Sequence, residues 1–269
     1  YTPRMNLSSI HLYPIKSMRG FAVQEAEVEV RGLHGDRRWM LIDANARFVT
    51  ARQHPRLLKC AAELIRDGLV VFTPAGSRRD VGEPPISAAT IEVGIWKSSS
   101  RARAADDAIN AWLSLQLGIA VRLVHMADDC VRSVSRDWSK PGDIVSFADG
   151  FPLLLIGTAS LDLLNSKLAR PVSMANFRPN LVVKTDTPHV EDTWKRIRIG
   201  DTEFALTKPC TRCVLTTIDP DSATPATDGE PLKTLTSYRR EAIGVTFGQN
   251  LLVRRTGIVR VDAPVEVLE

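Results

Sequence analysis

Apolar and polar residues alternate in short stretches along most of the chain. Residues 23–30 (VQEAEVEV) set Ala26, Val28 and Val30 against Glu25, Glu27 and Glu29, the period-two pattern of a half-buried strand. Residues 38–42, 69–72, 91–96 and 121–125 carry the same strand signal. Two hairpins are predicted: KRIRIGDTEFAL turning at Gly200-Asp201, and GIVRVDAPVEVL turning near Asp262 to Pro264. Helical spacing is confined to two stretches. One follows Asp106-Asp107, places Ile109, Trp112, Leu113 and Leu117 on one face and stops at Gly118. The other starts near Thr158, uses Leu161, Leu164 and Leu168 and ends at Arg170-Pro171. Many short strands with few helices predict a mainly β (α+β) protein built as a barrel or sandwich, and exclude an alternating βαβ sheet. The joint near Gly118 predicts two units, residues 1–120 and 121–269.

Composition adds constraints to this picture. The 269 residues are 44% hydrophobic and 25% charged, values typical of a globular protein with a substantial core. No apolar run is long enough for a membrane span, and the first residues lack the layout of a signal peptide, so a cytoplasmic location is the default expectation. The chain begins at Tyr1 rather than Met. A net charge of +4 is mild and spread among acidic residues; it suits a small anionic ligand at least as well as nucleic acid. Four cysteines are too few for a disulfide-stapled scaffold and point to a reducing compartment.

Two of those cysteines lie in TKPCTRCVLTTIDP, where Cys210 and Cys213 flank Arg212 and follow Lys208. Positive charge favours thiolate over thiol. A zinc site needs a second close pair of ligands, which the scattered histidines do not supply. A thioredoxin-like pair needs a following helix, whereas the β-branched run Val214-Leu-Thr-Thr-Ile218 predicts a strand. Two cysteines without a chemical task sit poorly among polar neighbours. One thiolate holding a soft transition metal remains open as well, and spacing alone does not choose among these readings.

Basic residues recur beside turns: Lys16 and Arg19 in YPIKSMRG, Arg37 and Arg38 in GDRRWM, Arg52 in TARQHP, and Arg178 with Asn180 in NFRPNLVV. Singly, such residues are ordinary solvated charges; together at loop-to-strand junctions they suit a phosphate or other anion. FADGFPLLL joins Asp149 and Gly150 to an apolar run as a tight turn, and TFGQNLLV offers Gln249 and Asn250 as hydrogen-bonding groups. Asp219, Asp221, Asp228 and Glu230 occupy a Pro- and Thr-rich segment that reads as a surface loop. His11 and His125 fall in strand patterns, and no nucleophile elbow or phosphate-binding Gly-rich loop is present, which argues against hydrolase and nucleotide-kinase chemistry.

Taken together and in this order, LYPIKSMRG, DRRWM, TARQ, FADGFP, NFRPNLVV, KPCTRCVLTTIDP, PLKTL and FGQNLLV resemble the MOSC family, and within it the YcbX-type bacterial proteins and the mitochondrial amidoxime-reducing component. The resemblance runs from about Ile10 to Val267. It implies an N-terminal MOSC-associated β-domain packed on a MOSC β-barrel, with a molybdenum cofactor (molybdopterin) between them. It further implies Cys213, the cysteine directly before the VLTT segment, as the thiolate on molybdenum and the catalytic residue, with Cys210 nearby but not a ligand. Lys16, Ser17, Arg37, Arg178, Asn180, Thr211 and Arg212 match positions that hold the cofactor, and Asp149, Gly150 and Gln249 join them as expected cofactor-binding residues.

The implied activity is reduction of small N-hydroxylated compounds: hydroxylamines, amidoximes and N-hydroxylated bases. YcbX-type relatives often continue into a ferredoxin-like domain, and this sequence lacks cysteines for an iron–sulfur cluster. Electrons are therefore expected from a separate partner of ferredoxin, cytochrome or flavin reductase type, and neither an iron–sulfur cluster nor PLP is expected in this chain. The second functional reading is a sulfur- or cofactor-carrier using a persulfide on Cys213, since MOSC domains also terminate molybdenum-cofactor sulfurases. The third, a nucleic-acid-binding barrel, is disfavoured by three tyrosines and sparse aromatics in basic strands. Neither nucleic acid nor membrane is an expected partner.

Overall fold

A computed structural model describes residues 5–269 and is mainly β with a few short helices, the expected class. The largest sheet has nine strands. Its hydrogen-bonded order is Val265–Val267, Arg196–Ile199, Thr202–Thr211, Gly244–Arg255, Leu153–Gly157, Leu181–Val183, Leu7–Leu12 and Phe21–Val23, with Arg240–Glu241 added alongside Gly244–Arg255. A second sheet orders Trp39–Ile42, Arg122–His125, Ser98–Ala104 and Ile91–Ile95. Two three-stranded sheets complete the β-structure. One pairs Gly257–Arg260 with Glu25–Glu29 and Gly32–Leu33; the other is the meander Ala61–Ile65, Gly68–Phe72 and Arg78–Gly82.

Strand pairing crosses the expected joint near residue 120 in both directions. Leu7–Leu12 lies antiparallel to Leu181–Val183, and Arg122–His125 lies between Trp39–Ile42 and Ser98–Ala104. This interleaving draws residues 13–20 and 36–52 against the C-terminal half. Leu7, Ile10, Leu155, Leu181, Ile197, Phe204 and Leu251 bury one apolar layer, while Trp39, Leu57, Leu69, Leu113 and Leu123 form another. Gly248, at φ 78°, has no room for a side chain, since a Cβ there would sit 2.7 Å from the Leu155 carbonyl oxygen. Its left-handed backbone suits glycine where the long strand Gly244–Arg255 passes close to Leu153–Gly157.

The helix over Asp107–Leu117 is as expected: the Asp106 carboxylate accepts from the Ile109 N–H, and Gly118 closes the end at φ 66°. The second helix is shorter than expected, Thr158–Asn165. The Asn165 side chain pairs both ways with the Val172 backbone, which gives the chain a non-helical partner, and Leu168 packs from outside the helix. Residues 23–30 divide between two sheets, and Val30, expected to face inward, is exposed. The second hairpin does not form. Gly257–Arg260 pairs with Glu25–Glu29, whereas Val265–Val267 pairs with Arg196–Ile199, because Asp262 turns the chain at φ 66° and donates its N–H to Leu7 instead.

Among the described residues no helix is long and apolar enough to cross a membrane, and all four cysteines are free.

One buried group gives the fold a pH dependence. His125 stacks on Trp39, ring centroids 4.5 Å apart, and its Nδ1 has no hydrogen-bond partner. Burial, assisted by nearby Arg38, pushes its pKa down to about 3. An unfolded chain takes up this proton near pH 6.5, so stability is lost progressively as pH falls from 6.5 towards 3, at up to about 1.4 kcal/mol per pH unit. Phenylalanine at this position keeps the ring but cannot be protonated. Urea unfolding of His125→Phe should therefore lose roughly 1–3 kcal/mol less than wild type between pH 7 and 4.5. Equal losses in the two proteins would remove His125 as the acid-sensitive group.

Candidate cofactor site

The interleaved segments enclose an open cleft of about 910 Å³, a figure that includes solvent space at its mouth. Lys16, Ser17, Arg37, Asp149, Gly150, Arg178, Asn180, Thr211, Arg212 and Cys213 all line it, although they come from five distant parts of the sequence. Gln249 does not. Its side chain is buried on the far face of Gly244–Arg255 and donates to Asp192 at 2.6 Å; its neighbour Asn250 lines the cleft instead. Successive strand residues face opposite sides, so a sequence motif of two amides left this choice open.

The cysteine segment differs from its expected form. Cys210 is the penultimate residue of the strand Thr202–Thr211, but Val214–Thr217 is a short 3₁₀ turn, not a strand. The Thr216 and Thr217 hydroxyls donate back to the carbonyls of Cys213 and Val214 at 2.9 and 2.8 Å, and these local bonds override the β-preference of threonine. Asn176 secures the turn by donating to the Thr216 carbonyl at 3.1 Å. Cys210 Sγ accepts from Arg212 Nη1 at 2.9 Å, whereas Cys213 Sγ has no hydrogen-bond partner among the described residues. Among the described residues no group of three or more His, Cys, Asp or Glu is placed to hold a metal, and of the two thiols lining the cleft Cys213 is the one without a hydrogen-bond partner.

Around that thiol the charge is one-sided. Lys16, Arg37, Arg52, Arg178 and Arg212 line the cleft against one carboxylate, Asp149. Tyr13 is sandwiched by Arg37 and Arg178, each guanidinium 4.3 Å from the ring centroid. Arg37 is tied to Asp36 at 2.6 Å, to Asn180 Oδ1 at 2.9 Å and to the Arg178 carbonyl at 3.2 Å. Arg178 is different: among the described residues its guanidinium makes no hydrogen bond. Burial lowers its pKa to about 10, which leaves it cationic at neutral pH. Arg212 donates to the Phe177 carbonyl at 2.6 Å, but its Nε is buried and unpaired. Two cations thus hold donors that the protein does not use.

Asn180 acts mainly within the protein. Its side-chain oxygen accepts from Arg37 and from the Leu154 N–H, and its amide donates to the His11 carbonyl, so it positions Arg37. Lys16, deep in the wall, donates to Asp149 at 2.5 Å. Burial lowers the Lys16 pKa, and Asp149 partly offsets that effect. Crowding alone would raise the Asp149 pKa; Lys16, Trp96 and Arg52 outweigh it and hold the carboxyl well below the usual range. Ser17, Arg37, Trp96 and Arg178 all have positive φ, four of the eight such non-glycine residues described. Strained backbone is thus concentrated at this cleft, as it is at many functional sites.

Tyr13, Phe48, Trp96, Arg132 and Asn176 escaped sequence reasoning. Tyr13 stood inside a motif already marked for its lysine and arginine. Asn176 opens the NFRPNLVV motif and Trp96 ends a strand pattern, but neither stood out as a site residue, while Phe48 and Arg132 are isolated residues with no local pattern. Arg132 is buried and donates to the carbonyls of Ser146, Ala148 and Asp149 at 2.9, 2.6 and 2.9 Å, which shapes the turn that carries Asp149.

Residues 4–120 match the MOSC N-terminal beta barrel domain and residues 142–266 match the MOSC domain. The chain is 32% identical to mitochondrial amidoxime-reducing component 1 of Xenopus laevis, over 96% of this chain and 81% of that protein. It is 33% identical to the Homo sapiens protein of the same name, over 97% of this chain and 82% of that protein. A molybdenum cofactor sulfurase of Oryza sativa subsp. japonica is 31% identical over 91% of this chain, which corresponds to 32% of that larger protein. With both domains matched in sequence order, and relatives aligned along nearly its whole length, this chain belongs to the MOSC family.

Proposed function

We propose that this protein is a molybdenum-cofactor-dependent reductase of N-hydroxylated compounds, with Cys213 as the protein ligand to the metal. The observation that carries the reading is one cleft combining a thiol without a protein partner and cationic side chains with unused donors. A pterin cofactor brings a phosphate, a polar ring and a thiophilic metal. The residues present fit those three demands. Arg178 and Arg212 suit the phosphate, since guanidinium donors match phosphate oxygens and both have donors to spare. Ser17 and Thr211 offer hydroxyls to the polar ring, and a Cβ at Gly150 would meet nothing within 4 Å, which leaves its backbone approachable. The Cys213 thiolate is the kind of ligand a soft metal prefers.

When bound, the cofactor supplies the two-electron redox chemistry. This chain's residues do the rest. The Tyr13 sandwich and Asn180 hold Arg37 in place, Lys16 and Asp149 neutralise one another at one wall, and the 3₁₀ turn presents Cys213. In the overall reaction the substrate N–O bond breaks, two electrons and two protons are taken up, and the oxygen leaves as water. The electrons come from a separate donor protein, and the names of the relatives favour amidoximes as the first substrates to try.

A second reading, sulfur carriage on Cys213, is favoured by the sulfurase among the relatives and by the absence of a protein partner for this thiol. Both are tested on protein produced in a host that makes the cofactor. Molybdenum is counted per chain, and benzamidoxime reduction is followed with a reduced viologen dye. Stoichiometric metal and turnover are expected. No metal, together with an alkylation-trapped persulfide on Cys213, would overturn the reductase reading and establish the carrier.

A further inference from the structure

Asp149 is the one carboxylate in a cleft lined by five cations, and the protein holds it by only one oxygen. Oδ1 accepts from Lys16 Nζ at 2.5 Å and from Trp96 Nε1 at 3.0 Å. The backbone behind it is clamped by the Arg132 guanidinium. Oδ2 has no hydrogen-bond partner among the described residues, and the side chain is 63% exposed. A carboxylate fixed at one oxygen and free at the other accepts a hydrogen bond in a defined direction without rearranging.

An aromatic wall adjoins it. Trp96 packs edge-on against Phe48 with centroids 4.6 Å apart, and the Arg52 guanidinium stacks 4.3 Å from its ring. Trp96 sits at φ 52° in the turn between Ile91–Ile95 and Ser98–Ala104, a position where a small turn residue would be unstrained. The residue is 38% exposed in the wall rather than buried. The neighbouring cations repel other cations, so Asp149 provides the attraction for any ligand that carries N–H donors.

We infer that Asp149 Oδ2 and the Trp96–Phe48 wall form the substrate-selecting end of the cleft, which takes planar, apolar-bodied ligands bearing N–H or O–H donors. Amidoximes meet this description, and so do their amidine products, whose N–H donors suit Asp149 Oδ2 while their charge is opposed by the neighbouring cations. Aromatic N-oxides offer only acceptor lone pairs, which the carboxylate repels. The substrate class named here rests on the reductase reading; the preference for donor-bearing ligands is a property of the cleft alone.

The test uses benzamidine as a probe, with titration calorimetry and tryptophan fluorescence on the full chain and molybdenum counted in the same samples. Saturable binding is expected in the wild type. It should be weakened on the order of tenfold to a hundredfold in Asp149→Asn, the range for losing a charged hydrogen bond. Trp96→Phe should remove most of the fluorescence response and weaken binding, with an unchanged unfolding temperature. In the loaded enzyme, Asp149→Asn should raise KM for benzamidoxime more than KM for pyridine N-oxide. Equal benzamidine affinity in wild type and Asp149→Asn would overturn the inference, as would equal losses on the two substrates. If Asp149→Asn does not fold, unaltered benzamidine affinity in Trp96→Phe would overturn it. Asp149-dependent binding in a loaded protein that reduces neither substrate would sink the reductase reading and leave the selecting site standing. Turnover of both substrates without dependence on Asp149 would do the reverse.

Discussion

Replacing Cys213 with alanine is expected to abolish molybdenum retention and, with it, essentially all reductase activity, while Cys210→Ala retains metal and loses roughly tenfold at most. The two thiols are only three residues apart, so the contrast is a direct reading of their surroundings. Cys210 ends an extended strand, packs beside the apolar layer around Phe177 and Phe247, and has its sulfur engaged by Arg212. Cys213 lies past the strand, at the start of the 3₁₀ turn, with no partner for its sulfur. Loss of Cys210 removes one of the contacts that orient Arg212, which keeps its bond to the Phe177 carbonyl. Loss of Cys213 removes the sole thiol donor left free in the cleft. Elemental analysis of both variants beside wild type decides the matter. Full metal content in Cys213→Ala would mean that the cleft holds the cofactor without this thiolate.

Asn180→Ala should destabilise the protein by about 2–4 kcal/mol, although it lies in a site rather than in an apolar core. The residue is 1% exposed, and its side chain makes three hydrogen bonds, to Arg37, Leu154 and His11. These join the N-terminal strand, the central strand Leu153–Gly157 and the arginine that stacks on Tyr13. Each bond contributes about 0.5–1.5 kcal/mol net, and a buried donor or acceptor left unpaired costs about 1–3 kcal/mol. Alanine leaves the Leu154 N–H and the His11 carbonyl without these side-chain partners, while the main-chain bonds of Asn180 survive. Arg37 keeps Asp36 and the Arg178 carbonyl, so cofactor retention should weaken rather than vanish. Urea unfolding should show a lower midpoint with an unchanged slope. A loss below about 1 kcal/mol would show that water takes over these bonds.

Much of the candidate site was legible because its residues sit in motifs with turn chemistry. Lys16, Ser17, Arg37, Asp149, Arg178 and Cys213 all flank the ends of strands, where a tight turn and a charged side chain occur together. Three other expectations met different arrangements in the fold. Gln249 and Asn250 are adjacent amides in one strand, and only the sheet's facing direction separates the one that meets the cleft from the one that meets Asp192. Residues 257–267 have the local pattern of a hairpin, yet each arm finds a distant partner. Val214–Thr217 carries strand-forming residues, but hydroxyl bonds to the local backbone close a turn. Arg132 belongs to no motif and Trp96 reads only as the end of a strand, because their roles exist only relative to the carbonyls and carboxylate of residues 146–149.

The sequence by itself determined the mainly β class, the helix from Asp106 to Gly118, the Gly200-Asp201 hairpin and the residue types a phosphate and a thiophilic metal require, since these depend on local periodicity, capping and side-chain chemistry. Tertiary structure alone decided which strands pair across the middle of the chain and which face of each strand lines the cleft. Those outcomes are set by contacts between residues far apart in sequence, such as Asn180 with Arg37 and His11 or Lys16 with Asp149, and no local pattern encodes them.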